Sequence, residues 1–261
     1  MILEAGLRVR SDYWSANSAK PLQKSVFPGI ATFTHVCAYD RPGTVLGETV
    51  ADRSRSDDVA MPRSAMSADD DLHALVAAAR MPPPFVLAGH STGGLLARLY
   101  AHKFPGDVSG LVLIDALPDG LRRYFTPAQY ATFTRLNTER PKSLQSYKDY
   151  ETIPFGPAFA ALRGLQRKAP LKPMPLVVLS RGRPVVLPTS VPAGFSAALE
   201  RAWRIQQNRL VDIEPGVQQI IATRSDHYIM LEQPGLVIRA VHEVVAAVHR
   251  GAERKRPLGA R

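Results

Sequence analysis

The stretch Phe85-Val86-Leu87-Ala88-Gly89-His90-Ser91-Thr92-Gly93-Gly94-Leu95-Leu96 constrains this chain more than any other part of it. Four apolar residues read as a buried strand, introduced by the turn-forming Pro82-Pro83-Pro84. Leu95, Leu96, Leu99 and Tyr100 then recur at helical spacing up to Phe104-Pro105-Gly106, which ends the helix. Between strand and helix lies Gly-x-Ser-x-Gly. So tight a turn forces its middle residue into a strained backbone conformation, and Gly89 and Gly93 leave room for it. Ser91 is then held at the C-terminal edge of a sheet beside a helix N-terminus, where the Thr92 N–H can face a developing negative charge. The competing reading is a glycine-rich turn with a bystander serine. The strand before the pattern and the helix after it favour the first.

The rest of the chain repeats this alternation. Strand-like runs fall at Met1–Glu4, His35–Tyr39, Leu111–Ile114, Leu176–Leu179 and Gln219–Ala222. Helical segments lie between them, which predicts an α/β fold with a mostly parallel central sheet flanked by crossover helices. Ser67 with Asp70 predicts a capped helix start, with Leu72, Leu75, Val76 and Ala79 as its buried face. Leu199, Ala202, Trp203, Gln206 and Leu210 mark another helix, and Pro234 opens a last one whose Val237, Val241, Val244, Val245 and Val248 form a stripe. Two regions break the pattern. Residues 48–68 read as a polar surface loop. Residues 116–172 hold Pro-started helical pieces, Pro127–Leu136 and Pro157–Leu165, and no convincing strand. The expected organisation is a core over 1–115, a helical lid over 116–172, the second part of the core over 173–250, and a disordered basic tail over 251–261.

The 261 residues suffice for one substantial core. A single cysteine, Cys37, excludes an intramolecular disulfide framework and a cysteine-rich zinc site. No apolar run approaches the roughly 20 residues of a membrane span, and Met1–Gly6 lacks the features of a signal peptide, so a cytoplasmic protein without membrane insertion is expected. The net charge of +10 raises the question of nucleic acid. Its location argues otherwise: residues 1–115 carry −1, 116–175 carry +6, 176–249 carry +1 and 250–261 carry +4. The excess belongs to the inserted segment and the tail, and no nucleic-acid motif accompanies it.

Several motifs together resemble the α/β-hydrolase superfamily: Gly89-His90-Ser91-Thr92-Gly93-Gly94, Tyr39-Asp40-Arg41-Pro42-Gly43 after an early strand, Leu111–Asp115 after the elbow helix, and Asp226-His227-Tyr228-Ile229 near the end. The order is the family's, and the resemblance spans about residues 1–250. It implies Ser91 as nucleophile and His227, in the loop after the last strand, as general base. His90 is read as a structural elbow residue, and the other five histidines as surface or packing residues. Most relatives carry the triad acid after the strand that follows the insertion. Here Ser180-Arg181-Gly182-Arg183-Pro184 offers no carboxylate there, whereas Asp115 ends the preceding strand, as in some relatives; Asp119 and Asp212 are the alternatives. The early loop Glu4-Ala5-Gly6-Leu7 implies the Leu7 N–H as the second oxyanion donor beside Thr92. The family usually has two further strands before this loop, so the sheet is expected to lack its first hairpin here, or an upstream segment to be absent from this sequence.

The resemblance implies a serine hydrolase that cleaves a carboxylic ester or related acyl compound of small to medium size, without metal or organic cofactor. Lactonase, amidase, perhydrolase and slow-turnover ligand receptor are the alternatives within the same fold. Phe125, Tyr130, Phe133, Phe155 and Phe159 give the lid its apolar surface, either for substrate or for its own packing.

Overall fold

A computed structural model describes residues 1–16, 24–47 and 49–254. Six strands, β1 (Ile2–Glu4), β2 (Cys37–Ala38), β3 (Phe85–His90), β4 (Val108–Ile114), β5 (Leu176–Arg181) and β6 (Gln218–Ala222), form one sheet in the order β2-β1-β3-β4-β5-β6. Every neighbouring pair is parallel. All six expected strands are present, and they are apolar throughout in the middle of the sheet because helices cover both faces. Alternate residues serve opposite layers. Val86, Ala88, Val112 and Ile114 pack under α1 (Val26–Ile30) and α8 (Pro234–Arg254). Phe85, Leu87, Leu111 and Leu113 pack under α2 (Ala65–Ala78) and α3 (Thr92–Lys103).

The helices correct some details. The cap of α2 is Ser64, whose Oγ accepts from the Ser67 N–H at 3.0 Å, so Ser67 sits inside the first turn. The buried face of α2 is Ala65, Ala68, Asp69, Leu72 and Val76; Leu75, at the edge of that stripe, is 43% exposed, and Ala79 is exposed because it is the C-cap beyond the end of the helix. The last helix does not stop at residue 250 but runs to Arg254, so 251–254 are not tail; residues 255–261 lie outside the described residues.

Between β4 and β5 the chain forms α4 (Pro127–Thr138) and α5 (Phe155–Lys168) with short 3-10 turns at Leu121–Tyr124 and Lys142–Leu144. Thr126 and Gln129 make a reciprocal capping box at the start of α4, with Pro127 in its first turn. The start of α5 is Phe155 rather than Pro157. Phe125, Phe133, Phe155 and Phe159 pack together with Leu95, Leu99 and residues of α6 (Phe195–Leu210), so the segment has its own apolar layer over α3. Among the described residues no helix is long and apolar enough to cross a membrane.

Candidate active site

Ser91 sits between β3 and α3 at φ +52°, ψ −120°, a conformation that L side chains rarely adopt. The turn closes because its flanks have no side chains. A Cβ on Gly89 would lie 2.4 Å from the Gly93 carbonyl oxygen, and one on Gly93 would lie 2.3 Å from that of Glu4. The Ser91 carbonyl is taken up by the N–H groups of Gly94, Leu95 and Leu117. The side chain is thereby left on the cavity side of the turn.

His227 lies in the loop between β6 and the short helix α7 (Ile229–Glu232). Its Nε2 is 2.9 Å from Ser91 Oγ and its Nδ1 is 2.6 Å from Asp115 Oδ2. The ionised carboxylate can only accept, so Nδ1 carries the proton and Nε2 offers its lone pair to the serine hydroxyl. Asp115 follows β4 at φ +40° and is fully buried. Four groups donate to it: His227 Nδ1, Trp203 Nε1 at 2.9 Å, the Arg181 N–H at 3.2 Å and Arg181 Nη1 at 2.7 Å. Burial alone would raise its pKa. The Arg181 charge, the His227 bond and the Trp203 bond outweigh burial and hold the carboxyl well below the usual carboxylate range. Arg181 is in turn pinned by Glu200 through Nη2 at 2.9 Å and lies over the Trp203 ring at 4.6 Å.

The other acid candidates lie elsewhere. Asp119 pairs with Arg98 and Asp212 is exposed beyond α6. Asp226 accepts from the Tyr228 N–H within its own loop. His90 makes no bond to Ser91; its Nε2 donates to the His227 carbonyl at 2.8 Å. Burial and the neighbouring His227 push its pKa down to about 3, so it is neutral, and among the described residues its buried Nδ1 has no partner.

The loop after β1 is held by a buried ion network. Arg41 pairs with Glu4 at 2.5 Å and with Glu151 at 2.6 Å, and its Nη1 and Nη2 also donate to the carbonyls of Ala5 (2.8 Å) and Gly6 (2.6 Å). A trans peptide points its N–H opposite its C=O. With the Gly6 carbonyl turned to Arg41, the Leu7 N–H faces away from it. The next amide, Arg8 N–H, donates to Glu151 Oε2. Among the described residues neither the Leu7 nor the Thr92 N–H donates a hydrogen bond, and both residues line the same cavity as Ser91 and His227.

That cavity is about 250 Å³. Phe133, Leu136 and Phe155 from the inserted segment and Leu199 and Trp203 from α6 form its apolar wall. Of the five aromatic residues singled out in the sequence, Phe133 and Phe155 reach it. Sequence reasoning did not assign roles to Arg41, Glu151, Arg181 or Trp203. For the arginines a signal existed, a cation two residues past an apolar run, but nothing local says which carboxylate it meets. Among the described residues no three His, Cys, Asp or Glu side chains gather as a metal site.

The chain belongs to the Alpha/beta hydrolase family, whose pattern it matches over residues 2–240. It is 28% identical over 255 residues to the uncharacterized protein YqjL of Bacillus subtilis, covering 95% of this chain and 83% of the relative. Its fold is similar to that of a thermophilic esterase from Thermogutta terrifontis in a malate-bound structure, with a TM-score of 0.61 and 19% identity over 95% of this chain and 89% of that one. It is also similar to the enol-lactonase from Burkholderia xenovorans, with a TM-score of 0.59 and 14% identity over 94% and 90% of the two chains.

Proposed function

We propose that this hydrolase cleaves a carboxylic ester of small to medium size by acyl transfer to Ser91. The observation that carries the reading is the unbroken line Ser91 Oγ–His227 Nε2 and His227 Nδ1–Asp115 Oδ2, at 2.9 and 2.6 Å, opening into an apolar cavity. His227 Nε2 takes the hydroxyl proton as Ser91 Oγ attacks the ester carbonyl. The N–H groups of Leu7 and Thr92 receive the oxyanion, each donor being worth about 10²–10³ in turnover. Asp115 keeps the imidazole oriented and stabilises its charged form. The imidazolium then gives its proton to the leaving alcohol, and water, activated by the same histidine, releases the acid. Residues 116–172 act as a lid that keeps the cavity apolar. Lactones are esters too, so the ring or chain form of the substrate is a matter of cavity shape.

The experiment is turnover of short p-nitrophenyl esters and simple lactones by purified protein, with a fluorophosphonate label mapped by mass spectrometry. Steady turnover, loss of it in Ser91→Ala and a label on the Ser91 peptide are expected. Undiminished turnover by Ser91→Ala, or a label elsewhere, overturns the proposal. A single-turnover burst without further release favours the receptor-like alternative.

A further inference from the structure

A second cavity, of about 540 Å³, lies on the seam between the 116–172 segment and the core and shares no residue with the first. That volume suits a small ligand. Five arginines line it from separate parts of the chain: Arg98 on α3, Arg122 and Arg123 in the turn before α4, Arg163 on α5 and Arg209 on α6. Two carboxylates, Asp119 and Asp212, share the wall, leaving an excess of three positive charges. Asp119 is already engaged, 3.0 Å from Arg98 and 4.0 Å from Arg163. The guanidiniums of Arg122 and Arg209 lie over the rings of Tyr130 and Tyr124 instead, at 4.5 and 5.8 Å.

A solvated cationic face spreads its charges outward. Here five arginines from separate parts of the chain line one concavity, and two of its buried lining side chains carry donors without partners among the described residues. Arg98 is 4% exposed and its Nη1 has no partner among the described residues; Gln206 is 5% exposed and its Nε2 has none either. Buried N–H groups without acceptors are costly, and the oxygens of an anion in the cavity would supply acceptors once these closed-off groups turn toward it. Guanidinium forks match phosphate oxygens two at a time, and their strength rises as water is excluded.

We propose that this cavity binds a small-molecule anion of the diphosphate class, separately from the Ser91 cavity. Arg122, Arg123 and Arg163 are three of the inserted segment's ten cations, so the cavity gathers part of that segment's positive excess. The helices α5 and α6 contribute residues to both cavities.

The test is calorimetric titration of the full chain with inorganic pyrophosphate at low salt. Saturable binding at one site per chain is expected. Arg123→Gln combined with Arg209→Gln removes two exposed cations and should weaken binding at least about tenfold, the loss of one charge-assisted contact or more. Arg239→Gln combined with Arg250→Gln, the same charge change on exposed positions of α8, should leave binding unchanged, as should Ser91→Ala. Circular dichroism checks that the variants fold, and Arg122→Gln alone replaces the first pair if it does not. No saturable binding, equal weakening by both double variants, or loss of binding in Ser91→Ala overturns the proposal.

Discussion

Asp115 holds an unusual position for a single side chain. It takes a positive φ, is shut off from solvent, and accepts from an imidazole, an indole and a guanidinium at once. Under the proposed acyl transfer its essential bond is the one to His227 Nδ1, which selects the tautomer that leaves Nε2 free. Asp115→Asn can offer Nδ2–H to that nitrogen and reverse the tautomer. The analogous exchange in a serine-protease triad lowers kcat about 10⁴-fold, and a loss of at least about 10³ is expected here in ester turnover. Asp226→Asn and Asp212→Asn should retain turnover, since neither side chain touches the imidazole; a large loss in either with none in Asp115→Asn would remove Asp115 from the role. Asp115 was legible as a candidate only through the family resemblance, since an aspartate ending the apolar run Leu111–Ile114 equally suits a helix cap or a loop anchor. Arg181 was not, although it stands just past an equally apolar run, Leu176–Leu179. Its meeting with Asp115 depends on β4 and β5 lying side by side with Ile114 opposite Leu179, a register that no local pattern states.

At the scale of elements, the loop after β1 depends on distant parts of the chain. Arg41 comes from the loop after β2 and Glu151 from the inserted segment, and both grip the peptide groups on either side of Leu7. Arg41→Lys keeps a cation but loses the fork that holds the Ala5 and Gly6 carbonyls together. The Leu7 N–H then loses its fixed direction, so kcat is expected to fall about 10- to 100-fold, somewhat less than the removal of an oxyanion donor. KM should change little, and affinity for a boronic acid that mimics the tetrahedral intermediate should fall in parallel with kcat. A fall in thermal stability with kcat and boronate affinity intact would reduce Arg41 to a packing role. The elements themselves were largely readable: the six strands, the elbow helix and the valine stripe of α8 follow from periodicity. The start of α2 was misread by one turn because Ser64 and Ser67 both suit a cap, and backbone geometry chose Ser64, extended at ψ 152°. Glu151 gave no sign of its role, since a carboxylate in a polar insertion looks like any solvated one.

For the molecule as a whole, the same buried histidine that supports the His227 loop is one of the groups through which the fold responds to acid. His90 is neutral in the folded state with a pKa near 3, against roughly 6.5 in an unfolded chain. Between these values the unfolded chain binds the extra proton, so folding stability falls as pH drops from 6.5 towards 3. Each pH unit in that window costs about 1 kcal/mol, against a typical margin of about 5–15 kcal/mol. Other groups act in the same range. Asp40 is pulled down to about 2, burial notwithstanding, by its bonds from Arg55 and Ser11, and its contribution is lost only below its ordinary value near 3.8. Burial raises Glu4 and Asp69, so their effect runs the other way and favours the fold as pH drops. A difference measurement separates His90 from them. His90→Gln has no titrating ring and can keep a donor for the His227 carbonyl. Urea denaturation of wild type and variant at pH 7.5 and pH 4.5 should show the variant's deficit shrinking by about 3 kcal/mol at the lower pH, two units below the unfolded value. A deficit of the same size at both values would mean that His90 titrates alike in the folded and unfolded chain, and that the acid sensitivity of this fold arises elsewhere.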